Sequence, residues 1–193
     1  AQAYQIPVIL LFNKMDTYKQ EEIAEIEFMK SIYTALDFPC YSISCFNPDD
    51  VTLIAELMRQ KSSMFSGHSG VGKSTLLNVL SPELRLRTAE ISEQHQQGQH
   101  TTTYAEMFDL PNDARIIDTP GIKGFGVVDM QPDELANYFT EFHAVKSNCK
   151  FNNCLHVDEP HCAVKDGVEN ETIAASRYAS YLQLWEQDTP YRN

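Results

Sequence analysis

Gly67-His68-Ser69-Gly70-Val71-Gly72-Lys73-Ser74 is the stretch on which the reading of this chain turns. It fits G-x-x-x-x-G-K-[ST]. Its glycines let successive backbone N–H groups face inward on phosphate oxygens, and a helix starting at Lys73 adds the positive end of its dipole. Such a loop needs a strand in front and a helix behind, and the pattern predicts both: Ser63 to Ser66 as a short strand and Lys73 to Leu80 as a helix. Lys73 then supplies a point charge to the β- and γ-phosphates of a nucleotide, and the Ser74 hydroxyl a ligand to Mg²⁺.

Toward the N-terminus, Ile6 to Phe12 reads as a buried parallel strand and runs into Asn13-Lys14-Met15-Asp16, an N-K-x-D string. An aspartate there can accept hydrogen bonds from the N1–H and the exocyclic amino group of guanine, a pairing adenine does not offer. A second predicted strand, Cys40 to Cys45, brings in Ser42-Ile43-Ser44-Cys45, where a backbone contact to the guanine O6 is expected at Ser44. Toward the C-terminus, Tyr104 to Leu110 and Arg115 to Ile117 read as strands joined by the turn Pro111-Asn112-Asp113. The second ends in Asp118-Thr119-Pro120-Gly121, a D-x-x-G string. Asp118 would hold Mg²⁺ through water, and the Gly121 N–H would face the γ-phosphate. Between these parts His100-Thr101-Thr102-Thr103 occupies the place of a Mg²⁺-binding threonine, taken here as Thr102. Each loop needs only the C-terminal edge of its own strand, so the parts work in this rotated order, base reader first.

Helical spacing predicts further helices from Glu21 to Leu36, from a cap at Asp49 or Asp50 to about Gln60, from Pro132 to Phe142 and from Glu171 to Trp185. The last places Ile173, Tyr178, Tyr181, Leu182 and Trp185 on one side. Ser81 to His100 is polar and glutamine-rich and reads as a mobile loop. Strands alternating with helices give an α/β fold with a mainly parallel sheet. A domain break near Phe142 to Asn148 divides the chain into residues 1–142 and 143–193.

Composition sets the outer bounds. With 193 residues, 42% hydrophobic and 22% charged, the chain suits one core plus a small appendage and is no disordered segment. The longest apolar run, Ile6 to Phe12, is too short to span a bilayer. The formal charge of −12 divides into −4 for residues 1–61, −3 for 62–130 and −5 for 131–193. No segment is basic overall, which excludes indiscriminate phosphate-backbone binding. Docking on one RNA-containing particle through local groups such as Lys146, Lys150, Lys165, Arg85 and Arg87 stays open.

Five cysteines and no signal peptide argue against a secreted disulfide framework. Cys149-x4-Cys154-x-His156-x5-Cys162 instead offers three thiolates and an imidazole, a complete tetrahedral Zn²⁺ set with no open position, hence a structural site of one ion per chain. Short loops around an ion replace the core that so few residues cannot build. His161 and His143 are rival nitrogen donors. His156, between two cysteines, is the better placed.

The order N-K-x-D, then G-H-S-G-V-G-K-S-T ending at Thr75, then H-T-T-T, D-T-P-G and C-x4-C-x-H-x5-C resembles the ribosome small subunit-dependent GTPases, the RsgA or YjeQ family. The resemblance spans essentially the whole chain. It implies a circularly permuted P-loop GTPase followed by a small, mostly helical zinc-binding subdomain. It also implies a cytoplasmic enzyme that hydrolyses GTP to GDP, is stimulated by the small ribosomal subunit, contacts its rRNA and acts late in its assembly. The carried-over nucleotide contacts are Asn13, Lys14, Asp16, Ser44, Gly67, His68, Ser69, Gly70, Val71, Gly72, Lys73, Ser74, Thr75, Asp118 and Gly121. Mg²⁺ with GTP or GDP falls to Ser74, Thr102 and Asp118, and Zn²⁺ to Cys149, Cys154, His156 and Cys162. A monomer without membrane attachment is expected.

Two departures stand beside it. The family carries an N-terminal OB-fold barrel, and a strand and helix ahead of the strand ending at Asn13; this chain contains neither and is expected to be part of a longer protein. After D-x-x-G, where many GTPases place a water-orienting glutamine, stands Ile122, a hydrophobic replacement the family shares. Intrinsic hydrolysis should then be slow, with the ribosomal subunit ordering the Ser81 to Thr103 loop and bringing a polar group, His100, to the attacking water. Gly70 stands where potassium-activated relatives often have asparagine, so no K⁺ site is expected. The competing readings are a zinc-bearing RNA- or protein-binding module with an inert nucleotide pocket, and a metabolic P-loop ATPase or kinase, which N-K-x-D opposes.

Overall fold

The structure, a computed structural model, describes residues 1–68, 70–84, 106–118 and 132–187. Elements follow in the order β1 (Leu10–Phe12), α1 (Gln20–Thr34), β2 (Cys40–Ser42), α2 (Pro48–Met58), β3 (Ser62–Met64), α3 (Lys73–Leu80), β4 (Glu106–Leu110), β5 (Ala114–Asp118), α4 (Pro132–Leu135), α5 (Thr140–Val145), α6 (Ala163–Glu169) and α7 (Ala175–Gln187). No helix among the described residues is long and apolar enough to cross a membrane.

The chain forms two compact units. One, the phosphate-loop unit, holds Leu10–Phe28 and the described residues from 40 to 118. In it β1 runs parallel to β2, and β3 parallel to β5, with β4 antiparallel on the far side of β5. Each parallel pair delivers its C-terminal ends, and so the following loops, to one edge of its own sheet. The β4–β5 hairpin pairs Leu110 with Ala114, and its turn carries Asn112 and Asp113 at φ of 62° and 55°, a region these two side chains tolerate. Ile43, Ile54, Met58, Leu76, Leu77, Ala114 and Ile116 form the core.

The strands are shorter than their apolar runs. Ile6 is 58% exposed and outside β1, which pairs only with the three residues of β2. The cap of α2 also differs from expectation. Asn47 holds it, accepting the Asp49 N–H on Oδ1 at 3.0 Å with Pro48 in the first turn. Asp50 is engaged elsewhere, as described below.

The other unit contains Ala1–Ile9, Met29–Pro39 and the described residues from 132 to 187. Its apolar cluster begins at Leu135 and takes in Ala136, Phe139 and Phe142 with Cys149, Cys162, Val164, Ile173 and Tyr181. It thus starts upstream of the 142/143 division expected from the sequence. The single helix expected from Pro132 to Phe142 is broken. Phe139 adopts an extended conformation (φ −97°, ψ 104°), and its ring stacks on Phe142 at 4.9 Å and meets Tyr181 edge-on at 5.5 Å. Aromatic packing overrides helix continuity there. The last helix starts at Ala175 rather than Glu171. Ile173 precedes it, yet is buried against Gly167, where a Cβ would come within 2.9 Å of the Ile173 Cδ1.

Candidate nucleotide pocket and metal centre

The phosphate loop closes as its sequence requires. Gly70 and Gly72 take φ of 82° and 98°, and Gly72 precedes Lys73, the first residue of α3. A Cβ on Gly72 would collide with the Asn13 side-chain amide. The Lys73 ammonium donates to the carbonyls of Gly67 at 2.5 Å and His68 at 2.8 Å, which holds it across the loop. Ser74 and Thr75 lie in the first turn of α3.

Four hydrogen bonds join the base-reading strings to each other and to this loop. Asn13 Nδ2 donates to the Val71 carbonyl at 2.9 Å. Its Oδ1 receives the Cys45 thiol at 3.4 Å. The Ser44 hydroxyl donates to Asp16 Oδ1 at 2.5 Å, and the Met15 N–H to the Ile43 carbonyl at 3.1 Å. Lys14 sits at φ 68°, which turns the chain between Asn13 and Asp16 so that both side chains face these partners. Asp50, from the first turn of α2, accepts the Ser44 N–H at 2.8 Å. In the sequence Asp50 reads only as a possible cap and Cys45 only as the end of the second predicted strand. Neither carries a motif, and their roles follow from where α2 and β2 deliver them.

Asp118 closes β5, next to β3 in register. Its side chain lies outside the described residues, as do Ser69, His100, Thr102, Gly121, Ile122, Arg85 and Arg87.

In the other unit the structure brings Cys149, Cys154, His156 and Cys162 together, their ligand atoms all within 4.8 Å of one another. His156 Nδ1 is 3.3 Å from the Cys162 sulfur and 3.7 Å from that of Cys149. Tetrahedral Zn–S and Zn–N bonds of about 2.3 and 2.0 Å put ligand atoms some 3.4–3.8 Å apart, so the donor set and its spacing fit zinc. Burial holds the His156 imidazole below its ordinary pKa, favouring the neutral ring that ligation needs. Burial, followed by the Cys162 and Cys149 thiols, pushes the Cys154 thiol up to about 12, a penalty that a cation among them would reverse. His143 and His161 are exposed and outside the cluster.

A supporting shell fixes the ligand loop. Tyr178 donates to the His156 carbonyl at 2.7 Å and Tyr181 to that of Leu155 at 2.5 Å. The Glu159 carboxylate accepts the N–H groups of Leu155 at 2.9 Å and Val157 at 3.1 Å. His156 itself takes φ 61°, a strained value for a non-glycine residue that this shell sustains.

Known proteins resemble this chain in sequence and in fold. A curated relative from Christiangramia forsetii, named small ribosomal subunit biogenesis GTPase RsgA, is 55% identical over 193 residues, covering 100% of this chain and 61% of its own length. One of the same name from Bacteroides fragilis is 49% identical over 186 residues, covering 96% and 60%. This chain therefore spans about three fifths of the curated relatives it matches. Among solved structures, YjeQ from Thermotoga maritima superposes with a TM-score of 0.82 at 34% identity, over 100% of this chain and 63% of that one. YloQ, described as a circularly permuted GTPase, gives 0.73 at 29% identity, over 96% and 58%. The sequence model of the RsgA GTPase family matches residues 1–128, and with these relatives it shows that the chain belongs to the RsgA GTPase family.

Proposed function

We propose that the protein binds and hydrolyses GTP and acts in late maturation of the small ribosomal subunit, which stimulates it. The observation that carries this reading is the hydrogen-bonded assembly of Asn13 with Val71 and of Asp16 with Ser44, which sets a guanine-reading carboxylate beside a phosphate loop. The names of the curated relatives supply the ribosomal partner.

In this reading Asp16 accepts the guanine N1–H and amino group, while Ser44 fixes the carboxylate's orientation. Gly67 to Gly72 wrap the phosphates with backbone N–H groups, and Lys73 offsets charge on the β- and γ-oxygens. Mg²⁺ bound with the nucleotide would be held by Ser74, Thr102 and, through water, Asp118, and would draw charge from the phosphate oxygens. Gly121 offers its N–H to the γ-phosphate. Ile122 cannot orient water, so His100 is proposed as the group that positions the attacking water once the ribosomal subunit orders its loop. Zn²⁺ in the cysteine set is structural. The protein is read as a cytoplasmic monomer with a nucleotide domain and a zinc subdomain, and rRNA contacted by local basic groups.

GTP turnover with and without purified small subunits tests the proposal. Slow turnover that rises at least tenfold with subunits is expected. Turnover indifferent to subunits refutes the ribosomal role, and tighter ADP than GDP binding refutes the guanine assignment. His100→Ala turning over at the full subunit-stimulated rate removes His100 from catalysis.

A further inference from the structure

Phe46 is 78% exposed, more than any other large apolar side chain among the described residues. A single exposed aromatic is ordinary on a protein surface. The position of this one is not. Its N–H donates to Ser44 Oγ at 3.1 Å, the same hydroxyl that donates to Asp16 at 2.5 Å. The next residue, Asn47, donates its N–H to the Ser44 carbonyl at 3.1 Å and caps α2. Asp50, from that helix, holds the Ser44 N–H at 2.8 Å. Phe46 therefore stands on a loop pinned on both sides, and two residues of chain keep its Cα within about 7 Å of Ser44.

Such a pedestal has a chemical use. A purine whose Watson–Crick edge rests on Asp16 still presents two apolar faces, and leaving one in water forgoes stacking energy. We propose that Phe46 stacks on the guanine base and supplies affinity for the nucleotide, while Asp16 supplies the choice of guanine. This rests on the guanine reading above and extends it to a residue outside the N-K-x-D and phosphate-loop strings. Stacking is indifferent to which purine is bound, because every base has a π-face. Affinity and base preference therefore separate by residue.

Calorimetric titration of the protein with GDP and with IDP tests this. Phe46→Ala is expected to weaken both by the same factor, roughly 5- to 100-fold, leaving the GDP-to-IDP ratio unchanged. Phe46→Tyr and Phe46→Trp are expected to keep wild-type affinity. Wild-type GDP affinity in Phe46→Ala overturns the inference alone, as does a loss that Phe46→Trp does not restore or a selective loss of GDP over IDP. A wild-type protein that fails to bind GDP overturns the guanine reading and this inference with it.

Discussion

The side-chain amide of Asn13 donates to the backbone carbonyl of Val71 at 2.9 Å across 58 positions of sequence. This bond clamps the base-reading loop onto the phosphate loop. The same amide group occupies the space a Cβ on Gly72 would need. Asn13 thus serves both as a hydrogen-bond partner for one loop residue and as a steric limit on its neighbour.

Asn13→Ala should accordingly weaken GDP binding about tenfold, the loss of one hydrogen bond of about 1 kcal/mol plus looser registry of the two loops. Gly72→Ala should abolish binding, since φ 98° and the Asn13 amide both oppose a side chain. In the double variant the collision is gone, so the two effects should be less than additive in thermal stability. Strict additivity would show that Asn13 does not confine Gly72.

The ligand spacing of Cys149, Cys154, His156 and Cys162 leads to a metal prediction. Elemental analysis of the purified protein should find close to one zinc per chain. Cys162→Ser should retain far less and unfold at lower temperature, because Cys162 is 1% exposed and ties the ligand loop into the apolar cluster of its unit. A chelator should lower the melting temperature of wild type and not that of Cys162→Ser. Equal zinc content in the two proteins would refute the site.

Arg177 Nε donates to Glu141 Oε1 at 2.7 Å, with side-chain exposures of 15% and 8%. Its guanidinium also lies 4.7 Å from the Phe139 ring and 5.5 Å from that of Tyr33. Removing either partner leaves a buried charge unpaired, at a cost of about 3–5 kcal/mol. Arg177→Leu and Glu141→Leu should each destabilise strongly in urea titrations, and the pair together much less than their sum. Arg177→Lys should also destabilise, since an ammonium does not reproduce the guanidinium's contact with the Phe139 ring together with its bond to Glu141. A Lys variant as stable as wild type would remove the contribution of the guanidinium–ring contact.

Glu159 yields a pH dependence. Burial alone would raise its pKa, but the N–H groups of Leu155, Glu159 and Val157 hold the carboxyl below its ordinary 4.5. A carboxyl depressed in the folded state contributes stability in full above its unfolded pKa and loses it as pH falls through the folded value. Glu159→Gln should therefore be less stable than wild type near pH 7, and the gap should close as pH drops below about 4.5. A gap independent of pH would mean that the lost stability does not come from the ionised carboxylate.

Much of the pocket was legible beforehand because its physics is local. Gly70, Gly72 and Lys73 act within one turn of chain, where positive φ and the helix start need no distant partner. The four metal donors likewise fall within fourteen consecutive positions, and only His156, His161 and His143 had to be weighed against one another. By contrast, Asn47 against Asp49 or Asp50 as a cap was a choice among similar side chains, decided by where Pro48 starts the helix and by Ser44 claiming Asp50.

The order of strings in the chain was enough to set the family and the rotated topology. It could not show that Asn13 meets Val71, that Cys45 faces Asn13, or that Phe139 breaks a helix to pack on Phe142 and Tyr181. Tyr178 and Tyr181 looked like one apolar helix face, yet their hydroxyls hold the carbonyls of His156 and Leu155. A motif records a conformation that a few adjacent residues can reach alone. Contacts between residues tens of positions apart exist only once packing has offset the entropy of closing the chain between them, and that balance belongs to the whole fold.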